Sequence, residues 1–339
     1  MPAPNASFEE AIHVIPQGGN RYSAHLRPEW CIGAVPHGGY TSSVLYRCVL
    51  THFAHAHPKQ YDTPASPISM QLAFLRRTGT GLATLEIEDV KLGARTSTIH
   101  IKLLQPSEKQ NDKMEVKVAG YITVSPPSAE VGISAPTGYK TYPAPPPGSH
   151  ADSQVDLSRL AQTGRDGAWV KLDSPYPEFR RAAAQLELYG PGDGQAQQRN
   201  KQSMAIDQWA RFRPNGDVNG RWTDSTIPYL IDMFPMALDG FDTMSANAEA
   251  RAKGESVPEK TAKFWYPTVT LNIDLKKHLP AEGVEWLYSQ VVTKVVRDGR
   301  TDLNVTVLDE NGDVVALSTQ VGLVLSASRN LGTRKMEKL

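Results

Sequence analysis

The feature that most constrains this chain is that one order of elements is written in it twice. In the first copy a glycine turn, His37-Gly-Gly-Tyr40, opens into a stretch where Val44, Leu45, Cys48, Val49 and Phe53 recur at helical spacing. Period-two segments then follow at Ile68–Phe74, Leu85–Val90, Ser97–Leu103 and Val116–Val124, the alternation of half-buried strands. In the second copy Asp224 is an N-cap residue type ahead of Ile227, Leu230, Ile231 and Phe234 at helical spacing. Pro228 is tolerable only in the first turns of that helix, and Pro235 should kink or end it. Strands follow at Val269–Leu275, Trp286–Thr293, Asp302–Leu308 and Val315–Leu325, with Asn311-Gly312 as a type I′ hairpin signal. Phe74 set against Leu275 gives an offset of 201, and Ser125 against Ser326 gives the same. A one-residue error would turn the apolar side chains to the wrong face, so register matters here. The expectation is an α+β chain of two repeats, each a long helix wrapped by an antiparallel sheet.

At 339 residues, and about 150 residues per domain, the length allows two such units. Residues 126–147 hold seven prolines, which fix φ and remove amide donors, so this stretch should connect the halves rather than continue a sheet. The expected division is a first unit over 1–125, a connector over 126–160, a second unit over 161–330 and a tail over 331–339. Residues 190–200 read as a long glycine-rich loop, and 245–263 as a solvated helix or loop. Lys+Arg and Asp+Glu both total 36, which argues against nucleic acid or a membrane surface held by bulk charge. No apolar run approaches the ~18 residues of a membrane span, and the N-terminus lacks the pattern of a secretory signal. The expected location is cytoplasmic, with Glu337-Lys-Leu339 only loosely like a peroxisomal tail. Cys31 and Cys48 are too few for a disulfide framework. His52, His55 and His57 sit where a helix should end. With no matching carboxylate or cysteine spacing they read as a solvated last turn suited to the helix dipole, and no metal is expected. No Gly-x-Ser-x-Gly elbow and no phosphate-binding loop occur.

One helix gripped by a curved antiparallel sheet is the hot-dog fold, and two in one chain make a double hot dog. The chain resembles the acyl-CoA thioesterase II type and its thioesterase-like relatives over about residues 8–328. The resemblance is carried by Pro36-His-Gly-Gly-Tyr40, Trp222-Thr-Asp-Ser225, Pro267-Thr-Val-Thr-Leu-Asn-Ile273, Asp298-Gly-Arg-Thr301 and Val315-Ala-Leu-Ser-Thr-Gln320. It departs from the pattern at Leu275-Lys-Lys-His278, where relatives show an aromatic and an Arg-Pro pair. The resemblance implies a water-activating trio of Asp, Thr and Gln, which reads onto Asp224, Thr268 and Gln320. Under the 201 offset Pro67 stands opposite Thr268 and Ala119 opposite Gln320, so one site, in the second half, is expected.

Thioesters are activated toward attack, so the chemistry needs an oriented water and a place for oxyanion charge. A carboxylate can accept the water's proton, while threonyl and amide groups fix its lone pairs. Glycine lets a ligand approach the backbone, so Gly38 and Gly39 are candidates for oxyanion amides, with Tyr40 beside them. Arg95 and Arg300, with Arg76, Arg77, Lys276 and Lys277, are candidates for the phosphates of a CoA carrier. Each has a plainer reading: Asp224 as an N-cap, Thr268 as a strand threonine, the glycines as a turn, the arginines as solvated charge. The implied activity is hydrolysis of acyl-CoA or an acyl-carrier thioester in lipid metabolism, with no cofactor. The alternative is an acyl-ligand binding protein on the same scaffold. A homo-oligomer is open, because sheet edges can pair between chains.

Overall fold

The structure, a computed structural model, describes residues 6–108, 113–144, 155–174, 176–192, 204–233 and 264–331. Its first half runs β1 (Val14–Gly18), β2 (Arg21–Leu26), α1 (Gly38–Ala56), β3 (Ser66–Phe74), β4 (Gly81–Lys91), β5 (Ser97–Pro106) and β6 (Met114–Ser125). The second runs α2 (Leu157–Thr163), β7 (Trp169–Leu172), β8 (Leu186–Pro191), β9 (Ala205–Phe212), α3 (Ile227–Ile231), β10 (Thr268–Leu275), β11 (Trp286–Val292), β12 (Arg300–Leu308) and β13 (Val314–Leu323). These strands join one antiparallel sheet in the order β1-β2-β4-β5-β6-β3-β10-β13-β12-β11-β9-β8-β7. This is the double hot-dog expected from the repeat. The second helix is described only as a 3₁₀ turn, Asp224–Thr226, followed by α3. Phe234, Pro235 and the segment 245–263 lie outside the described residues, as do 145–154 of the connector and most of the loop after Gly192.

The two halves meet at β3 and β10, where Gln71 pairs with Asn272. These two residues are also equivalent under the 201 offset, so the local dyad passes between them. The last strand departs from that offset. Val124 pairs with Pro67 and Gly322 with Thr268, so β13 is displaced from β6 by 198 rather than 201. The first-half counterpart of Gln320 is therefore Ile122, not Ala119, and both are buried. A three-residue slip reverses face parity, which is why burial settles it. Asn311-Gly312 does not make the type I′ turn either. Only Gly312 takes a positive φ, 81°, whereas that turn needs two. Asp309 instead closes the loop, its Oδ1 accepting from the Asn311 and Asp313 amides.

α1 is the inner helix. Val44, Leu45, Cys48, Val49 and Phe53 are all buried in a core shared with Leu72, Ile101, Ile122 and, from the second half, Phe212, Tyr229 and Ile273. Each such side chain contributes about 1.5–3 kcal/mol on leaving water. Its histidine-rich end is solvated only in part: His55 is exposed, but His57 is half-buried and His52 fully buried. Strands β8 and β9 carry little alternation because β9 is covered on both faces. Ile206, Ala210 and Phe212 face the shared core, while Trp209 packs outward with Trp169, Tyr189, Trp286 and Tyr288. Leu160 of α2 closes that outer cluster.

Candidate active site

α3 crosses the start of α1 so closely that a glycine is required at 39, and a second, at 38, leaves room for a carboxylate. A Cβ on Gly39 would stand 2.6 Å from the Pro228 carbonyl oxygen and 2.8 Å from Tyr229 Cα. One on Gly38 would stand 2.6 Å from Asp232 Oδ2. Real Cβ atoms do not come so near, so the sequence Gly38-Gly39 permits the crossing.

The crossing buries a carboxylate. Asp232 ends α3 and is 5% exposed. Its Oδ2 accepts the Gly39 N–H at 2.7 Å and its Oδ1 accepts the Thr268 hydroxyl at 3.1 Å. His37 Nε2 donates to the Asp232 carbonyl at 3.0 Å and lies 3.4 Å from Oδ2. A helix leaves its last carbonyls unpaired, and here three in succession are met by side chains. Gln320 Nε2 donates to Ile231 O at 3.1 Å, His37 to Asp232 O, and Gln208 Nε2 to Met233 O at 3.3 Å. Since a carbonyl can only accept, the amide of Gln320 must turn its NH2 toward Ile231. Its Oε1 is left buried with no hydrogen-bond partner among the described residues.

Burial governs the electrostatics. It pushes the Asp232 carboxyl above its ordinary range, only partly offset by His37, Thr268 and the Gly39 amide. Burial likewise lowers His37, so its ring is held neutral, and Nδ1 is buried without a partner among the described residues. A carboxylate with increased proton affinity beside a neutral imidazole suits proton acceptance near neutral pH.

Asp232, Thr268, His37 and Gly38 line a cavity of about 250 Å³. Its other walls are largely aromatic and aliphatic, with Phe74, Phe179, Trp265 and Tyr266 among them, and Arg76 and Arg77 also border it. The Gly38 N–H, at the first position of α1, is one of the amides a helix leaves without an intrahelical acceptor.

Sequence models of the acyl-CoA thioesterase N-terminal and C-terminal domains match residues 26–125 and 152–324. The chain is 32% identical over 355 aligned positions to the thioesterase-like protein TwmA of Talaromyces wortmannii, covering 97% of this chain and 95% of that one. It belongs to the acyl-CoA thioesterase family. Among solved structures it is similar in fold to a hot-dog protein of unknown function from Alicyclobacillus acidocaldarius, at a TM-score of 0.63 and 17% identity, covering 94% of this chain and 98% of that one. It is likewise similar to the acyl-CoA thioesterase II TesB2 of Mycobacterium marinum, at a TM-score of 0.54 and 16% identity over 95% and 100% of the two chains.

Within this family fold, the residues expected to form the site separate into two groups. Thr268 reaches Asp232, and Gln320 holds the carbonyl just before it. Asp224 does not join them. Its Oδ2 accepts from His278 Nδ1 at 2.7 Å and its Oδ1 from the Leu279 amide at 2.8 Å, so it ties the start of the second helix to the chain after β10. Gly38 and Gly39 are at the site, although the Gly39 amide is already engaged by Asp232. Tyr40 is buried, its hydroxyl donating to Ala11 O and its ring stacked on Trp30, and it does not line the cavity. Arg95 donates to the carbonyls of Ala129 and Val131 in the connector. Neither it nor Arg300 borders the cavity; Arg76 and Arg77 do. Sequence reasoning missed Asp232, His37 and Gln208. The available signal was an acidic residue inside the apolar run Tyr229-Leu-Ile-Asp-Met233.

Proposed function

We propose that the chain is a thioester hydrolase acting on acyl-CoA or a related acyl-carrier thioester, with Asp232 rather than Asp224 as the water-activating carboxylate. The observation that carries this reading is the buried Asp232 carboxylate, of raised proton affinity, on the wall of a largely apolar cavity beside the helix-start residue Gly38. Asp232 takes a proton from water as the water oxygen bonds to the thioester carbonyl carbon. The Gly38 N–H stabilises the oxyanion, worth about 2.7–4 kcal/mol for such a donor. The C–S bond then breaks, the electron pair leaves on sulfur, and the proton held by Asp232 completes the thiol. Thr268 orients the carboxylate, and the unpaired Gln320 Oε1 accepts the water's second hydrogen. Arg76 and Arg77 suit the phosphates of a CoA carrier, and the aromatic walls suit the acyl chain. No helix among the described residues is long and apolar enough to cross a membrane. The proposal includes a cytosolic location, in keeping with two buried free thiols.

Thiol release across a panel of acyl-CoA chain lengths tests this. Wild type should turn over at least one of them, and Asp232→Asn should lose about 100-fold or more in kcat with an unchanged melting temperature. Ligand binding without thiol release in the wild type would favour the acyl-binding alternative. Full turnover by Asp232→Asn would remove the site assignment.

A further inference from the structure

The opposite end of α1 carries a second cluster, and we propose that it is a binding site for a divalent transition-metal ion of the zinc type. His52 Nε2 lies 2.9 Å from Asp89 Oδ1, and His57 Nε2 lies 3.0 Å from Asp89 Oδ2. One potential ligand atom from each of the three residues falls within 4.8 Å of the others. The cluster lies about 20 Å from Gly39 along the helix axis, at ~1.5 Å per residue, so it is separate from the candidate active site and independent of its assignment.

Three features make this more than a carboxylate shared by two histidines. Both rings, from residues near and just past the end of α1, present the same atom, Nε2, to the Asp89 carboxylate of β4, one to each oxygen. His52 is fully buried, and its other nitrogen, Nδ1, meets the Tyr22 hydroxyl at 2.8 Å. Such a partner on the far ring nitrogen is what fixes tautomer and orientation in a metal-binding histidine. Third, the set is open on one side, with His57 and Asp89 20% and 23% exposed, which leaves an approach for the ion and a position for water.

Zn–N and Zn–O bonds of about 2.0–2.2 Å in a tetrahedron set ligand atoms about 3.3–3.5 Å apart, so the 2.9 and 3.0 Å contacts open by a few tenths of an ångström, while the remaining separation, no more than 4.8 Å, closes toward the same value. In the metal-free cluster each Nε2–H donates to Asp89, and the Tyr22 hydroxyl donates to His52 Nδ1. With the ion bound, Nε2 of each ring gives its lone pair to the metal and the ring proton resides on Nδ1. In His52 that proton is donated to the Tyr22 oxygen. Tyr22 can reverse its role because a phenol hydroxyl both donates and accepts a hydrogen bond. Two imidazoles and one carboxylate favour zinc, copper or nickel over magnesium or calcium, which prefer all-oxygen ligation.

The ion would tie the end of α1 to β4. The experiment is calorimetric titration of chelator-treated, desalted full-length chain with zinc chloride, beside Asp89→Asn and His57→Ala. The expected result is one saturable site in the wild type, about 100-fold or more weaker in each variant, with a zinc-dependent rise in melting temperature only in the wild type. Circular dichroism without metal checks that the variants fold. Should Asp89→Asn fail that check, His57→Ala, at the partly exposed end of the helix, decides alone. Absence of saturable zinc binding in the wild type, or affinity undiminished by His57→Ala, overturns the proposal.

Discussion

At the scale of single residues, the two aspartates of the second half separate by environment. Asp232 is buried, with its proton affinity raised by that burial. Turnover that needs its ionised form should fall as pH drops through a value above the ordinary aspartate pKa of about 3.9. A kcat/KM profile checks this, and an acid limb at or below pH 4 would contradict it. Asp224 should behave otherwise. Asp224→Ala should leave thiol release within about threefold of wild type, but it removes the partner that raises His278. A histidine whose folded pKa lies above its unfolded value of about 6.5 contributes stability that is whole below that value and lost as pH climbs through the folded one. The stability gap between wild type and Asp224→Ala should therefore be wider at pH 6 than at pH 9. Exposure of both side chains holds the difference to roughly 1 kcal/mol, readable by urea unfolding. Thr268 and Gln320 were legible because strand position carries them. The carboxylate was not, since an Asp before a helix and an Asp closing one look equally ordinary in sequence, and only the crossing of α1 and α3 distinguishes them.

At the scale of elements, the site is made by a helix crossing, and its tolerance is set by backbone. Gly39→Ala drives a methyl against the Pro228 carbonyl and Tyr229 Cα, neither of which can swing aside. It should cost about 1–3 kcal/mol of stability as overpacking, and it should also slow thiol release at least tenfold by pushing Asp232 off the Gly39 amide. Denaturant unfolding and turnover on the same preparation check both, and wild-type values for the pair would show that the crossing can relax. The strands with alternating burial, such as β5 and β12, were readable because one face meets α1 or the shared core and the other meets solvent. β9 was not, because Trp209 and its aromatic neighbours bury the second face and erase the period. The start of the second helix was readable to within a residue: Thr223, not Asp224, stands at the cap position. Its full length rests on residues outside those described.

At the scale of the whole molecule, the repeat was legible and its one-sided chemistry follows from it. The dyad at Gln71 and Asn272 makes the halves alike in backbone, while Pro67 and Ile122 stand where the second half has Thr268 and Gln320. The first half thus lacks this polar pair, yet it supplies Gly38, Gly39 and His37 to the candidate site. Neither half is complete alone, and the packing is as shared as the chemistry. Phe8 from the first half lies edge-on to Phe212 of the second with ring centroids 5.1 Å apart, and both contact Trp30 and Tyr229. The chain should therefore unfold as one cooperative unit, with calorimetric and van't Hoff enthalpies in agreement. Phe8→Ala and Phe212→Ala should each destabilise that single transition by about 3–5 kcal/mol, and they should do so less than additively because they remove one shared contact. Two resolved transitions, with each variant moving only one, would mean that the halves fold separately and that the site assembles only when they dock.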